Sequence, residues 1–297
     1  MKTFLKKILP RHLIDRYVEY RIYKNRYFDS QEDLTYVCRK KQGLINHADA
    51  IETIAIRGSS AAYGFIPRYI DNSYNLGLTS TDAYFNYHLY LKSKEMLPRL
   101  KNVVFYMSGF VCGLSLIRTR EKYRAVSYKY FFDIPYEEDG LIDEKIEEKI
   151  FNKCKKIKVH LPDNYWGYTT KKFFATGTDA ESRAKIILRE NRREPDQMIW
   201  IQKLIEQIIE DKKNIFIVIP SHPKKLKKNL PPKEELYKKT YALLNNYKDL
   251  PNVQLIDLYD SALFVNSDMG DNDHFNKKGA KKCTKIVKEY IEKQCRQ

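Results

Sequence analysis

The sequence predicts an α/β fold: a three-layer α/β/α sandwich around a central, mostly parallel sheet, with a basic N-terminal helix and an inserted cap. Three observations carry this expectation. Asn102 to Met107, NVVFYM, is a continuous apolar run of the kind a parallel sheet buries on both faces, 214 to 223 (beginning NIFIVI) is a second buried strand, and Thr53 to Arg57 and 253 to 259 (VQLIDLY) are further strands. Amphipathic helical stretches separate them, and alternation of strand and helix is the pattern of a parallel sheet covered on both sides. The chain, 297 residues of which 43% are hydrophobic, can bury one large core with additions.

The elements follow in order. Residues 11 to 28, after Pro10, bring Leu13, Ile14, Tyr17, Val18 and Ile22 toward one face, with Arg11, Arg16 and Lys24 elsewhere. This predicts a basic amphipathic helix, suited either to a membrane surface or to docking on the domain. Residues 1–48 are read as an N-terminal extension and 49–297 as the main domain. The strand at Thr53 to Arg57 breaks into GSSAAYG, and a short strand follows near Ser73 to Leu78. A helix over 81–97 is expected, capped by Thr81 or Ser80 and ended by Pro98.

The stretch 110–192 is too long for one crossover connection and reads as an insertion or cap. It contains DGLIDEKIEEKIFNKCKK, expected to be helical, and the aromatic loop LPDNYWGYTTKKFF. Trp166 and Tyr168 in that loop suit either substrate binding, by stacking on a sugar, or packing beneath the cap. Helices over 195–212, 234–247 and 277–295 complete the alternation, and right-handed crossovers would close the three layers.

Composition narrows the function. Five cysteines, Cys38, Cys112, Cys154, Cys283 and Cys295, are odd in number and never paired as CxxC. They predict free thiols in a reducing compartment rather than a disulfide framework or a zinc site. The N-terminal apolar fragments are interrupted by Lys6, Lys7 and Pro10, and neither a signal peptide nor a membrane span is expected. A cytoplasmic location follows, with peripheral contact at the inner membrane face through the basic helix. The formal charge of +16 is concentrated in the first 41 residues, at 153–158 and at 222–239. Such a surface attracts anionic partners, acidic glycan or membrane among them, although solvated lysine-rich helix faces produce the same count. No helix-turn-helix, zinc-finger or RNP pattern accompanies it, so nucleic acid ranks low.

In parallel α/β folds, chemistry gathers at the carboxyl ends of the strands. Four loops fall there: 58–64, 78–81, 108–110 and 267–276. In the last, Asp271 precedes His274 by three residues just before a helix. This spacing lets a carboxylate hold one imidazole nitrogen while the other faces outward as a general base. A structural loop pair is the plain alternative. Asp268 and Asp273 nearby raise a metal site, but no second group of ligands is apparent and no metal is expected.

GSSAAYG resembles the first block of the SGNH, or GDSL-like, hydrolase superfamily, usually Gly-Asp-Ser, and DNDHFNKKGA resembles its last, Asp-x-x-His followed by a helix. The two stand in the expected order, near the ends of one domain. The resemblance implies a flavodoxin-like sandwich in which Ser60 is the nucleophile, Ser59 replaces the block's aspartate, His274 is the base and Asp271 orients it. Ser60 as a helix cap is the alternative. For the oxyanion hole, the resemblance implies backbone N–H groups of Ser60 and Ser80, with Gly77 as the alternative. Where the family has an Asn after the third strand, this chain has SGFVCG, leaving Ser108 as the nearby polar side chain. From its own sequence, His222, ending the NIFIVI strand in IPSHPKK, reads as facing the substrate cleft or a phosphate, with simple exposure beside Pro223 in a basic loop as the alternative.

The activity so implied is acyl-ester chemistry on a carbohydrate in surface polysaccharide metabolism, as O-acyl (acetyl) esterase or O-acyltransferase. The partner would be an acylated carbohydrate or acidic glycan. No cofactor is required, and acetyl-CoA would serve as acyl donor to a transferase. The missing Asn and Ser59 also fit a catalytically silent binding protein in a glycan-assembly complex.

Overall fold

The computed structural model describes residues 26–169, 179–194 and 196–296. The helix expected over 11–28 therefore lies almost wholly outside the described residues, as does the end of the aromatic loop. Strands β1 (Thr53–Ile56), β2 (Ser73–Asn75), β3 (Asn102–Tyr106), β4 (Asn214–Ile219) and β5 (Val253–Asp257) form a five-stranded sheet in the order β2-β1-β3-β4-β5. Every pairing is parallel, with Ala55 beside both Asn75 and Val104, and Val104 beside Phe216.

The unbroken apolar runs have the cause expected of them. Ala55, Val104, Tyr106, Phe216, Val218 and Ile256 share one core cluster with residues of α2 (Gly58–Gly64) and α11 (Lys277–Gln294). The alternate residues Ile54, Ile56, Val103, Phe105, Ile215 and Ile217 are equally buried. Successive strand side chains point to opposite faces, so both faces of the sheet are covered. On the second face α3 (Ala83–Lys94) packs on α7 (Met198–Glu210), which also meets β4. The three-layer α/β/α sandwich is thus present, its sheet wholly parallel.

Several element ends depart from expectation for identifiable reasons. Asp82, not Thr81 or Ser80, caps α3: one of its oxygens accepts the N–H of Phe85 at 2.8 Å and the other that of Leu116 at 2.5 Å. Thr81 is occupied elsewhere, its hydroxyl accepting the N–H of Gly58 and donating to the Leu78 carbonyl. The expected helix over 234–247 is interrupted at Tyr237, giving α9 (Lys233–Leu236) and α10 (Lys238–Asn245) after the single turn α8 (Lys224–Lys227). Between 160 and 192 lies a helix that periodicity did not single out, α6 (Ala180–Asn191), capped by Asp179.

The described chain divides into two compact units. The smaller joins residues 26–38 to Ile117–Val159 and contains α4 (Arg124–Phe132) and α5 (Glu144–Cys154), with Asp29 paired to Lys153 at 2.5 Å. The larger, residues 39–116 and 160–296, contains the sheet and α6. Helix α1 (Gln31–Asn46) belongs to both. The stretch read as one insertion is therefore shared, and its described residues 160–169 and 179–192 belong with the sheet. No helix among the described residues is long and apolar enough to cross a membrane.

Candidate active site

Strand order places β2 on one side of β1 and β3 on the other, so chain direction reverses at the carboxyl ends of β1 and β3. Ligand crevices of open α/β sheets form at such a point. The chain leaves β1 there through two consecutive residues of positive φ, Arg57 at 92° and Gly58 at 58°. Glycine adopts this region freely, whereas a non-glycine residue in a sparsely populated region costs on the order of 1–3 kcal/mol and persists only where surroundings enforce it. The enforcement is visible: the fully enclosed Arg57 guanidinium donates to the Thr81 carbonyl at 2.5 Å and stands 5.5 Å from the centre of the Phe110 ring. The turn delivers Ser59 and Ser60 onto the first turn of α2.

The hydroxyl brought to the imidazole is that of Ser59, with Oγ 2.6 Å from His274 Nε2. Ser60, which the motif alignment made the nucleophile, makes no such bond. It does not cap the helix either, because the N-cap position is Arg57 and carries no side-chain cap. The reason is the double positive-φ turn, which starts α2 at Gly58 and brings the first serine to His274. The Gly-Asp-Ser alignment then moves by one residue, onto Arg57, Gly58 and Ser59.

The other side of His274 matches the Asp-x-x-His reading. Nδ1 lies 2.9 Å from both Asp271 oxygens. Asp271 Oδ1 also accepts the backbone N–H groups of Asp273 and His274 at 3.0 and 2.9 Å, so the loop is wound around this carboxylate. Burial pushes Asp271 upward, but the hydrogen bond and charge of His274 outweigh it and hold the carboxyl well below the usual range. Burial pulls His274 downward, but the charge of Asp273 and the bond to Asp271 leave it raised. Asp273, which with Asp268 raises a metal site in the sequence, stands 3.5 Å from Nδ1 and is paired through its other oxygen with Arg183 on α6. Asp268 is structural: it is fully buried, bonded to the Val265 N–H and paired with Lys282 at 2.6 Å.

The loop is fixed at both ends. Asn276 caps α11 by accepting from Lys278 and Gly279. Gly279 is required there by close approach, since a Cβ would lie 2.3 Å from the Asp268 carbonyl oxygen. Phe275 stacks on Phe264 at 4.9 Å, anchoring the residue next to His274 in the core. Tyr63 of α2 sets its ring edge-on to the imidazole at 5.4 Å.

The expected oxyanion donors are only partly brought together. Gly77 cannot donate freely, because its N–H is bonded to Asn75 Oδ1 at 3.0 Å. Its role is again close approach: a Cβ would come within 2.3 Å of the Ala62 nitrogen in α2. Asn75 completes this junction by donating to the carbonyls of Ala61, Ala62 and Phe65. Ser80 has φ of 63°, and its neighbour Thr81 ties the loop to the Arg57–Gly58 turn through Gly58. Ser108, after β3, is buried, and its hydroxyl has no partner among the described residues.

Trp166 and Tyr168 have contacts of their own. Trp166 stacks on His47 at 4.0 Å and accepts from the Asn75 N–H through its carbonyl, while Tyr168 packs against the core, near Arg68 and Tyr69. His222, read as facing either cleft or solvent, is only 4% exposed; burial pulls it down to about 4, opposed by the charge of nearby Asp273. The basic run around it is partly paired inward, Lys233 with Asp257 at 3.1 Å and Lys239 with Asp196 at 2.5 Å.

Among the described residues, Asp271, Asp273 and His274 are the one group of three whose atoms lie close enough to share a cation. Here His274 spends Nδ1 on Asp271 and Nε2 on Ser59, and Asp273 is engaged by Arg183, a hydrogen-bonded chain rather than a set of converging lone pairs. The residues form an α/β sandwich whose strand-end edge carries a Ser-His-Asp array. A scan against protein-family models matches none, and a search of curated proteins finds no match.

Proposed function

We propose that the protein performs SGNH-type serine acyl-ester chemistry on a carbohydrate, with Ser59 as nucleophile, His274 as general base and Asp271 as its orienting carboxylate. The supporting observation is the imidazole of His274, bridging Ser59 Oγ and Asp271 in one hydrogen-bonded line. In this reading Asp271 keeps a proton on Nδ1, so Nε2 takes the Ser59 proton as Oγ attacks the ester carbonyl. The imidazolium so formed is stabilised by Asp271 and Asp273. It returns the proton to the leaving alkoxide as the carbon–oxygen bond breaks, leaving an acyl-serine. Water or a sugar hydroxyl, deprotonated by the same nitrogen, then takes the acyl group, giving an esterase or an O-acyltransferase. Acetyl-CoA would be the donor in the second case, its carbon–sulfur bond breaking as the imidazolium proton goes to the CoA thiolate, and no other cofactor is called for.

The proposed setting is surface polysaccharide metabolism in the cytoplasm, at or near the inner membrane face, which the +16 charge favours. The test is acetate release from a panel of O-acetylated sugars, with and without acetyl-CoA and an acceptor. Release by the wild type and its loss in Ser59→Ala support the reading. Equal release by both proteins contradicts Ser59 as the nucleophile, and none on any substrate supports instead a silent binding protein of the same fold.

A further inference from the structure

Ten buried side-chain polar atoms lack a partner among the described residues, and six of them belong to four residues at the strand-end edge that holds the dyad. They are Nε and one terminal nitrogen of Arg57, Nε of Arg183, both ring nitrogens of His222, and the hydroxyl of Ser108. Buried polar atoms in folded proteins are overwhelmingly satisfied, so such a concentration in one place asks for a ligand.

The chemistry of the set specifies the ligand. Arg57 and Arg183 can only donate, neutral His222 offers one donor and one acceptor, and Ser108 can do either. The set is thus rich in donors and poor in acceptors, complementary to a group carrying several acceptor oxygens. Both guanidiniums lie over the same ring, Arg57 at 5.5 Å and Arg183 at 5.4 Å from the centre of Phe110, so their carbons are at most about 11 Å apart. Arg183 also pairs with Asp273, which places it next to His274, and His222 is within electrostatic reach of Arg183, Asp273 and His274. Arg57 precedes Ser59 by two residues. Its charge is partly balanced by Asp82, whose two oxygens are already taken by Phe85 and Leu116.

We propose that Arg57, Arg183, His222 and Ser108 form an oxoanion subsite beside Ser59, so that the ester acted on carries a carboxylate or phosphate group near the reacting carbonyl. The inference rests on the acyl-ester reading for its substrate, but the subsite itself is testable without turnover. The probe is inorganic phosphate, titrated calorimetrically into the full-length protein at ~0.15 M salt, where contacts to the exposed surface are screened. Saturable binding is expected, weakened roughly 10- to 100-fold in Arg183→Gln, the loss typical of one charge-assisted hydrogen bond. Arg57→Gln should weaken it similarly if it folds by circular dichroism, and Lys224→Gln with Lys225→Gln, on the exposed surface, should not.

Absence of saturable binding, or equal binding by wild type and Arg183→Gln, overturns the subsite. A second arm compares hydrolysis of paired acetyl esters with and without a neighbouring carboxylate. The wild type should favour the anionic ester through KM, and Arg183→Gln should lose that preference; unchanged preference overturns the proposal. Phosphate binding with no ester hydrolysis on either member of the pair counts against the acyl-ester reading and leaves the subsite standing.

Discussion

Ser59 and His274, 215 positions apart in the chain, meet at 2.6 Å between Oγ and Nε2. Each is presented by a rigid device: Ser59 by a strand-to-helix turn with two positive-φ residues, His274 by a loop wound on Asp271 and fastened at Asn276. Sites held this way position reacting groups without reorganisation, which is where most of the benefit of a preassembled nucleophile and base arises.

The two serines are expected to be unequal. Ser59→Ala should abolish ester turnover, whereas Ser60→Ala should retain it within about threefold, because the half-buried Ser60 hydroxyl makes no bond to His274 and its loss leaves no large cavity. Initial rates on one acetylated sugar compare the two variants, and loss of activity in Ser60→Ala alone would restore the original alignment.

Asp271 should act through the tautomer of His274. Replacing it with Asn leaves the loop shape largely intact but removes the carboxylate that keeps the proton on Nδ1, and comparable changes in serine hydrolases cost on the order of 10,000-fold in kcat. KM should move far less than kcat, which steady-state kinetics would separate.

The pH profile should report Asp273. Because His274 is raised in the folded protein and must be neutral to act as base, kcat/KM should climb with pH through a midpoint above the ordinary imidazole value. Asp273→Asn removes the largest influence holding it up and should shift the midpoint down. The sign for stability is opposite: a raised histidine stabilises the fold fully below its unfolded pKa, and that contribution fades as pH rises through the folded value. A profile unchanged by Asp273→Asn would contradict this assignment.

Gly77→Ala should destabilise the fold and separate the dyad. Its Cβ would sit 2.3 Å from the Ala62 backbone nitrogen, where no flexible side chain can yield, so α2 must move. Overpacking of this kind costs about 1–3 kcal/mol. For a chain this size that is a fall of at least about 2 °C in Tm, measurable by calorimetry, with a loss of activity larger than the stability change explains.

Much of this was legible in the sequence. NVVFYM and NIFIVI declared a doubly covered sheet, and DNDH carried both the imidazole and its carboxylate within one turn. What escaped has physical reasons. Ser59 and Ser60 are chemically identical, and which one faces His274 depends on φ at Arg57 and Gly58, a backbone property that residue types only hint at. Arg57 itself occupies a conformation usually reserved for glycine, so no pattern marked it. Arg183 reaches the site from a helix 90 positions before Asp273, in a stretch without strong periodicity. His222, beside Pro223 in a lysine-rich run, looks exposed until the fold closes over it.

The central claim is that Ser59 is the activated nucleophile. Fluorophosphonate labelling of the intact protein, followed by peptide mapping, tests it most directly. The expected result is a single adduct on Ser59, absent in His274→Ala and in Ser59→Ala. An adduct on Ser60, or no adduct in the folded wild-type protein, would contradict it.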